Sequence, residues 1–319
     1  FSFGFLFQKR AAVVLLHFGI FLLFAAELIT AVASVEGTMS LREGDSSNYI
    51  DHSFDYELAI IDRSHSAYDE TLAVPAAKLQ NEGSIVQEEQ LPFDIKVERY
   101  INNTHTRFFT AQETAVNFGV NAGIGTELLI KEREEHNGLT SQRNAPALVA
   151  TLIDKKTKKE LGTYLFSIMH YSHFFSFQSS DIFQRVEVDG KVYDLMLRNE
   201  REYLFAKGAQ NPFTVTLNDF RHDKYIGTNT PSNFSSLIKL EDKDKGIERL
   251  VNIWMNNPMR YAGRTFYQSG FTPDNKGSIL QVMKNGGWML PYIALMIVGL
   301  GMFIHFCITF ISFIEKERK

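Results

Sequence analysis

The chain has 319 residues, 45% hydrophobic and 22% charged, a balance that excludes a disordered polyelectrolyte. Its 33 Lys and Arg against 37 Asp and Glu leave a net charge of −4, so there is no basic excess to grip nucleic acid and no nucleic-acid partner is expected. A single cysteine, Cys307, excludes an internal disulfide, a paired-thiol redox site, a cysteine zinc site and a CxxCH haem attachment site.

Residues 1–10 read as a short cytoplasmic stub that ends in Lys9 and Arg10. Residues 11–34 are uncharged except for Glu27, and are long enough to cross a hydrocarbon core of about 30 Å as a helix. An open strand there would leave backbone groups unpaired, so a helix is required. A rival reading takes this stretch as a signal peptide, because Ala31, Val32 and Ala33 before Ser34 resemble a cleavage site. Against it, the stretch is longer than the usual apolar region of such peptides and Glu27 interrupts it. The sequence begins at Phe1 rather than Met, which leaves room for an upstream segment.

Residues 35–287 are polar and strand-like, and read as one extracytoplasmic β-rich domain. Runs rich in β-branched and aromatic residues fall at Phe54 to Ile61, Asp94 to Ile101, Ala147 to Ile153 and Thr163 to Phe177. The clearest hairpin runs from Arg185 to Asp194, turned by Asp189 and Gly190, a pair that suits a type I′ turn. Further strands are expected at Phe213 to Phe220, Ser235 to Leu240, Leu250 to Trp254, Arg264 to Ser269 and Ser278 to Met283. Glu127 to Glu135 is expected as one short helix, and residues 63–92 and 136–145 as loops. Lys155 to Glu160 and Glu241 to Lys245 read as solvated turns. Short strands at this spacing predict an antiparallel sandwich or open barrel.

Residues 288–314 form the second span, and residues 315–319 a cytoplasmic tail carrying Lys316, Arg318 and Lys319. Fewer cations lie near the opposite ends of the spans, namely Arg42, Lys276 and Lys284, so the positive-inside rule puts both termini in the cytoplasm. Trp288 and Tyr292 suit the outer interface. The fold class expected is therefore a membrane protein with two transmembrane helices flanking a mainly β domain.

Catalytic signatures are missing: there is no GxSxG, HExxH, Walker A or kinase set, which makes a membrane-bound hydrolase the weakest reading. Gly119, Gly123 and Gly125 have the wrong spacing for a dinucleotide loop and read as a turn. His170 and His173 stand three apart, which on a strand puts them on opposite faces rather than on one metal. His17, seven residues beyond Arg10, lies roughly 10 Å into the membrane, where an ionisable group faces a partner or a cavity. Its imidazole is either hydrogen-bonded to a neighbouring helix or an axial ligand of haem iron. His305 stands roughly 13 Å from the same side, so two histidines at similar depth in antiparallel helices are geometrically compatible with a bis-His haem. The competing reading makes His305 a packing residue crowded by Phe303 and Phe306. Glu27 is either a carboxylate reaching the interface or sitting protonated, or a counter-charge for a cation. Cys307, buried in lipid or protein, is not expected to be a catalytic thiolate.

Three stretches together resemble the ResB/CcsB family of cytochrome c biogenesis proteins (System II). The first is Leu16 to Gly19 in a span, followed by Val35 to Gly44 with its two Glu-Gly pairs. The second is Phe213 to Phe220 with Tyr225 and Pro231 to Ser236, and the third is Val251 to Ser269, which runs toward the last span. Local physics gives most of these residues a role in shaping the domain, with Asn257, Pro258, Ala262 and Gly263 as turn signals.

The resemblance implies a non-catalytic subunit of a holocytochrome c synthetase complex. It would act with a CcsA-like membrane protein that carries the tryptophan-rich haem-handling motif, which has no match here. His17 matches the family's transmembrane histidine and would ligate haem b, held non-covalently in transit, with His305 as a weaker candidate. Haem, apocytochrome c and membrane lipid are the remaining partners, and the inner (cytoplasmic) membrane, with the large domain on the periplasmic side, is the expected location. Family members commonly carry two further amino-terminal spans that this sequence does not include. The alternative is a non-enzymatic receptor or assembly scaffold with a ligand-sensing β domain.

Overall fold

The computed structural model describes the chain apart from residues 1, 66–68, 109–117, 137–142, 169–182, 225–226, 228–230, 273, 275 and 319. Helix α1 (Ser2–Ala33) leads into β1 (Val35–Arg42), β2 (Ser46–Ser47), β3 (Tyr49–Asp62), β4 (Glu70–Pro75), β5 (Ile85–Val86) and β6 (Phe93–Ile101). Then come β7 (Thr104–Phe108), β8 (Leu128–Glu132), β9 (Ala147–Asp154), β10 (Glu160–Ser167), β11 (Gln184–Val188) and β12 (Lys191–Tyr203). The chain continues through β13 (Thr214–Lys224), β14 (Pro231–Asp242), β15 (Ile247–Trp254), β16 (Met259–Tyr261), β17 (Arg264–Phe271), β18 (Gly277–Lys284) and helix α2 (Leu290–Glu317). Two apolar helices thus flank a mainly antiparallel β region, as the sequence predicts.

The chain divides into two compact units, one made of Phe1–Ile50 with Tyr203–Lys319 and the other of Asp51–Glu202. In the first unit β1, β18, β17 and β16 pair in that order, and β15, β14, β13 and β2 form a four-stranded sheet. Alternate residues of both sheets meet in one core: Met39, Leu41, Phe213, Leu217, Ile238, Ile253, Phe266, Leu280 and Val282 are all buried. This is sandwich packing, in which period-two alternation turns one face of each sheet inward. The second and third family-like stretches fall on β13 to β14 and on β15 to β17. Phe213, Leu217, Ile253, Met259 and Phe266 serve that core, so much of the resemblance rests on residues that shape the domain. Tyr225 lies outside the described residues.

The second unit carries β11, β12, β3 and β4 in one sheet and β10, β9, β6 and β5 in another, with β7 and β8 as a separate pair. Leu58, Ile60, Phe93, Ile95, Leu148, Leu152, Phe166 and Leu195 form its main core. On the opposite face of β3 and β12, beside Ala59, Ile61 and Met196, Arg198 donates from Nε and Nη2 to Glu57 Oε1, at 2.8 and 2.7 Å, so a buried cation and a buried anion neutralise each other. The hairpin of β11 and β12 turns at Asp189 (φ 53°) and Gly190 (φ 73°), both in the left-handed region that a type I′ turn demands.

Three expectations need correcting. Glu127 to Glu135 is not a helix: a 3-10 turn over Ile124–Glu127 runs into strand β8, because Leu128 and Ile130 alternate inward and pair with β7. Residues 63–92 are not only loop, since β4 and β5 lie there and pair with β3 and β6. The strand expected from Thr163 ends at Ser167, and residues 169–182, with His170 and His173, lie outside the described residues. The glycine-rich segment is a turn: a Cβ at Gly123 (φ 67°) would strike Gln184 Oε1, which instead accepts Ile124 N–H at 3.1 Å.

Candidate haem-ligating face of the first span

Within the first unit, Ala11–Ala33 and Leu290–Glu317 are long and apolar enough to cross a membrane. Large apolar side chains such as Phe21, Phe24, Leu28, Met296 and Phe303 stay exposed on them, a surface that suits lipid rather than water. The antiparallel pair packs through small residues spaced seven apart. Ala12, Gly19 and Ala26 on α1, and Ala294 and Gly301 on α2, are all buried. A Cβ at Gly19 would lie 2.7 Å from Val298 Cγ2, and one at Gly301 2.9 Å from Leu16 N, so only hydrogen fits at either glycine. In lipid, close backbone approach of this kind is what holds helices together.

The ends of the two helices pass straight into the sheet. Only Ser34 separates α1 from β1, and Val35 pairs with Lys284 at the end of β18. Asn285 donates from Nδ2 to Thr30 Oγ1 at 3.0 Å and accepts Gly287 N–H at 2.8 Å, which ties the entry to α2 onto the last turns of α1.

His17 is exposed on α1, and at 3.6 residues per turn it lies about 200° round from Gly19, on the side away from α2. Its Nδ1 is 2.7 Å from Val13 O. A carbonyl oxygen only accepts, so Nδ1 is the donor, and in a neutral ring Nε2 is then the nitrogen with the lone pair. A backbone-oriented imidazole with a free Nε2 is the form that binds a metal. Val13, Val14, Phe18 and Phe21 line a shallow apolar groove around it. An imidazole beside apolar side chains has the chemistry of an axial donor to the iron of a flat, largely apolar porphyrin. Among the described residues, no three His, Cys, Asp or Glu side chains gather into a metal cage.

His305 is exposed on α2, where its carbonyl accepts the Thr309 hydroxyl at 2.9 Å. Gly19 lies against Ile297 and Val298, and Gly301 against Ala12 and Leu16. His17 is therefore level with about residue 299, and His305 is about six residues, or roughly 9 Å, farther from the β region. The helix pair does not bring the two imidazoles to one level. Glu27 is exposed about 80° round from the seam with α2, and Cys307 is half-buried. The seam glycines have a signal in the sequence, the seven-residue spacing of Ala12, Gly19 and Ala26, that a search for ionisable groups passes over.

Residues 147–287 match the ResB-like family. A 91-residue segment is 31% identical to Protein NrfI of Wolinella succinogenes. That match takes in 28% of this chain and 10% of NrfI, so the chain spans a small part of its relative's length.

Proposed function

From the match of residues 147–287 to the ResB-like family, we propose that the chain works in cytochrome c biogenesis as a membrane subunit that helps move haem across the bilayer. In this reading haem is cargo. His17 supplies one axial ligand through Nε2, and Val13 O holds the ring in the tautomer that leaves Nε2 free. Val13, Val14, Phe18 and Phe21 give the flat macrocycle an apolar surface on which to lie. A CcsA-like membrane protein supplies the second ligand and the thioether chemistry. The β region, on the periplasmic side of the inner membrane, presents apocytochrome c.

The observation that carries the proposal is the aim of His17: it faces away from α2, with its metal-binding nitrogen open to whatever packs on that face of α1. A second chain meets that requirement in a way that His305 of the same chain does not.

The test is an absorption spectrum of the complex purified in detergent with its partner. Wild type is expected to show a Soret band that His17→Ala weakens severalfold, with added imidazole restoring it by filling the vacated ligand position. Haem content unchanged by His17→Ala would overturn the ligand assignment. Normal maturation of c-type cytochromes without the gene would overturn the wider reading and favour a scaffold or receptor.

A further inference from the structure

A second feature of the first unit lies where the sheet meets the spans. The β16–β17 hairpin turns at Ala262 (φ 50°) and Gly263 (φ 74°), and Arg264 pairs with Lys284, which pairs with Val35. That register puts the hairpin tip level with the junction of strand and helix, at the edge of the bilayer.

From this hairpin Arg260 lays its guanidinium 4.0 Å from the centroid of the Trp288 ring, and Trp288 meets Tyr292 edge-on at 6.2 Å. Next to it Arg249, on β15, donates from Nη2 to Arg260 O at 3.3 Å and sits 5.7 Å above the Tyr261 ring. Both arginines are exposed, and among the described residues neither has a carboxylate within ion-pair distance. The neighbouring acids are engaged elsewhere: Asp242 accepts the Tyr261 hydroxyl at 2.6 Å, and Glu248 pairs with Lys239 at 2.9 Å.

A guanidinium stacked on an aromatic face uses its π surface for that contact. Its N–H donors lie in the plane and remain free for an anion, in a fork that matches two oxygens of a phosphate or carboxylate. The depth decides between anions. Trp288 lies two residues before α2 and Tyr292 in its first turn, and both rings are largely exposed. Amphipathic rings at a span's end settle at headgroup level, where the abundant anion is the phosphodiester.

We propose that Arg249 and Arg260, held by Tyr261 and Trp288 and flanked by Tyr292, form a site for the headgroup of an anionic phospholipid in the leaflet facing the β region. The site is independent of haem and of His17. It fixes the hairpin, and with it the sheet, at a set height above the bilayer.

The chain has two tryptophans, so Trp254→Phe leaves Trp288 as the sole indole reporter. The full chain in detergent is titrated with phosphatidylglycerol, with phosphatidylcholine and with glycerol phosphate, and Trp288 emission is followed. A saturable shift is expected with phosphatidylglycerol at about tenfold lower concentration than with phosphatidylcholine. Arg249→Gln and Arg260→Gln should each remove about fivefold of that preference, the scale of one cation at an anionic surface. Glycerol phosphate alone should give no saturable shift, because it lacks the bilayer anchor; a saturable shift with it would assign the site to a free anion and overturn the lipid reading. If Arg260→Gln does not fold, Arg249→Gln, which leaves the indole contact intact, decides alone. Equal responses to the two lipids, or a preference that survives arginine removal, would make the stack a structural clamp only and overturn the proposal.

Discussion

At residue scale, the side chains that matter are those whose polarity the surroundings must answer. His17 is answered on one nitrogen by Val13 O and left open on the other. Tyr261 is answered by Asp242: burial first, and then this hydrogen bond, push its hydroxyl up to about 12. A phenol with a raised folded pKa stabilises the fold fully below the unfolded value near 10, and loses that contribution as pH climbs through 12. Tyr261→Phe should therefore lower the thermal midpoint at neutral pH and flatten its decline between pH 10 and 12. A decline as steep as that of wild type would show that Tyr261 does not drive it. The histidine in the span was legible as a candidate because an ionisable group in lipid needs a reason. Its tautomer and its aim were not, since both depend on the helix seam. The alignment of Arg260 with Trp288 was equally hidden, because it joins residues from two elements that only folding brings together.

At the scale of elements, the helix pair depends on two glycines. Gly301→Val places methyls where Leu16 N stands 2.9 Å from a Cβ, and backbone cannot yield as a side-chain tip can. The variant should drive α1 and α2 apart and raise hydrogen exchange of α1 amides by at least about tenfold, which corresponds to about 1.4 kcal/mol of local stability. Exchange equal to wild type would mean that the seam does not hold the pair. Strand reading succeeded where apolar residues alternate, as in β6 and the β11–β12 hairpin, and in β9, a continuous apolar run buried on both faces. It failed at β8, whose Lys131 and Glu132 beside Glu127 look like helix surface, and at β1, where Gly37 interrupts a run that pairs with β18 throughout. In both cases partner strands supplied the order that local propensity withheld.

At the scale of the whole molecule, the spans and the β character of what lies between them were legible from hydropathy and alternation. The division into two compact units was not, because the second enters and leaves through strands, β3 and β12, that look like any other. The proposed periplasmic placement of the β region has a direct check. With Cys307→Ser as background, Lys243→Cys in the β14–β15 turn should react with a membrane-impermeant maleimide on intact cells stripped of their outer wall, and Lys316→Cys only after permeabilisation. The reverse pattern would invert the orientation. The direct run of α1 into β1 and of β18 into α2 has a mechanical meaning as well. With a single residue at one junction and a stapled turn at the other, there is no slack to absorb torque. Any rotation of the β1–β18 pair is therefore carried into the adjoining ends of both helices rather than lost in a linker.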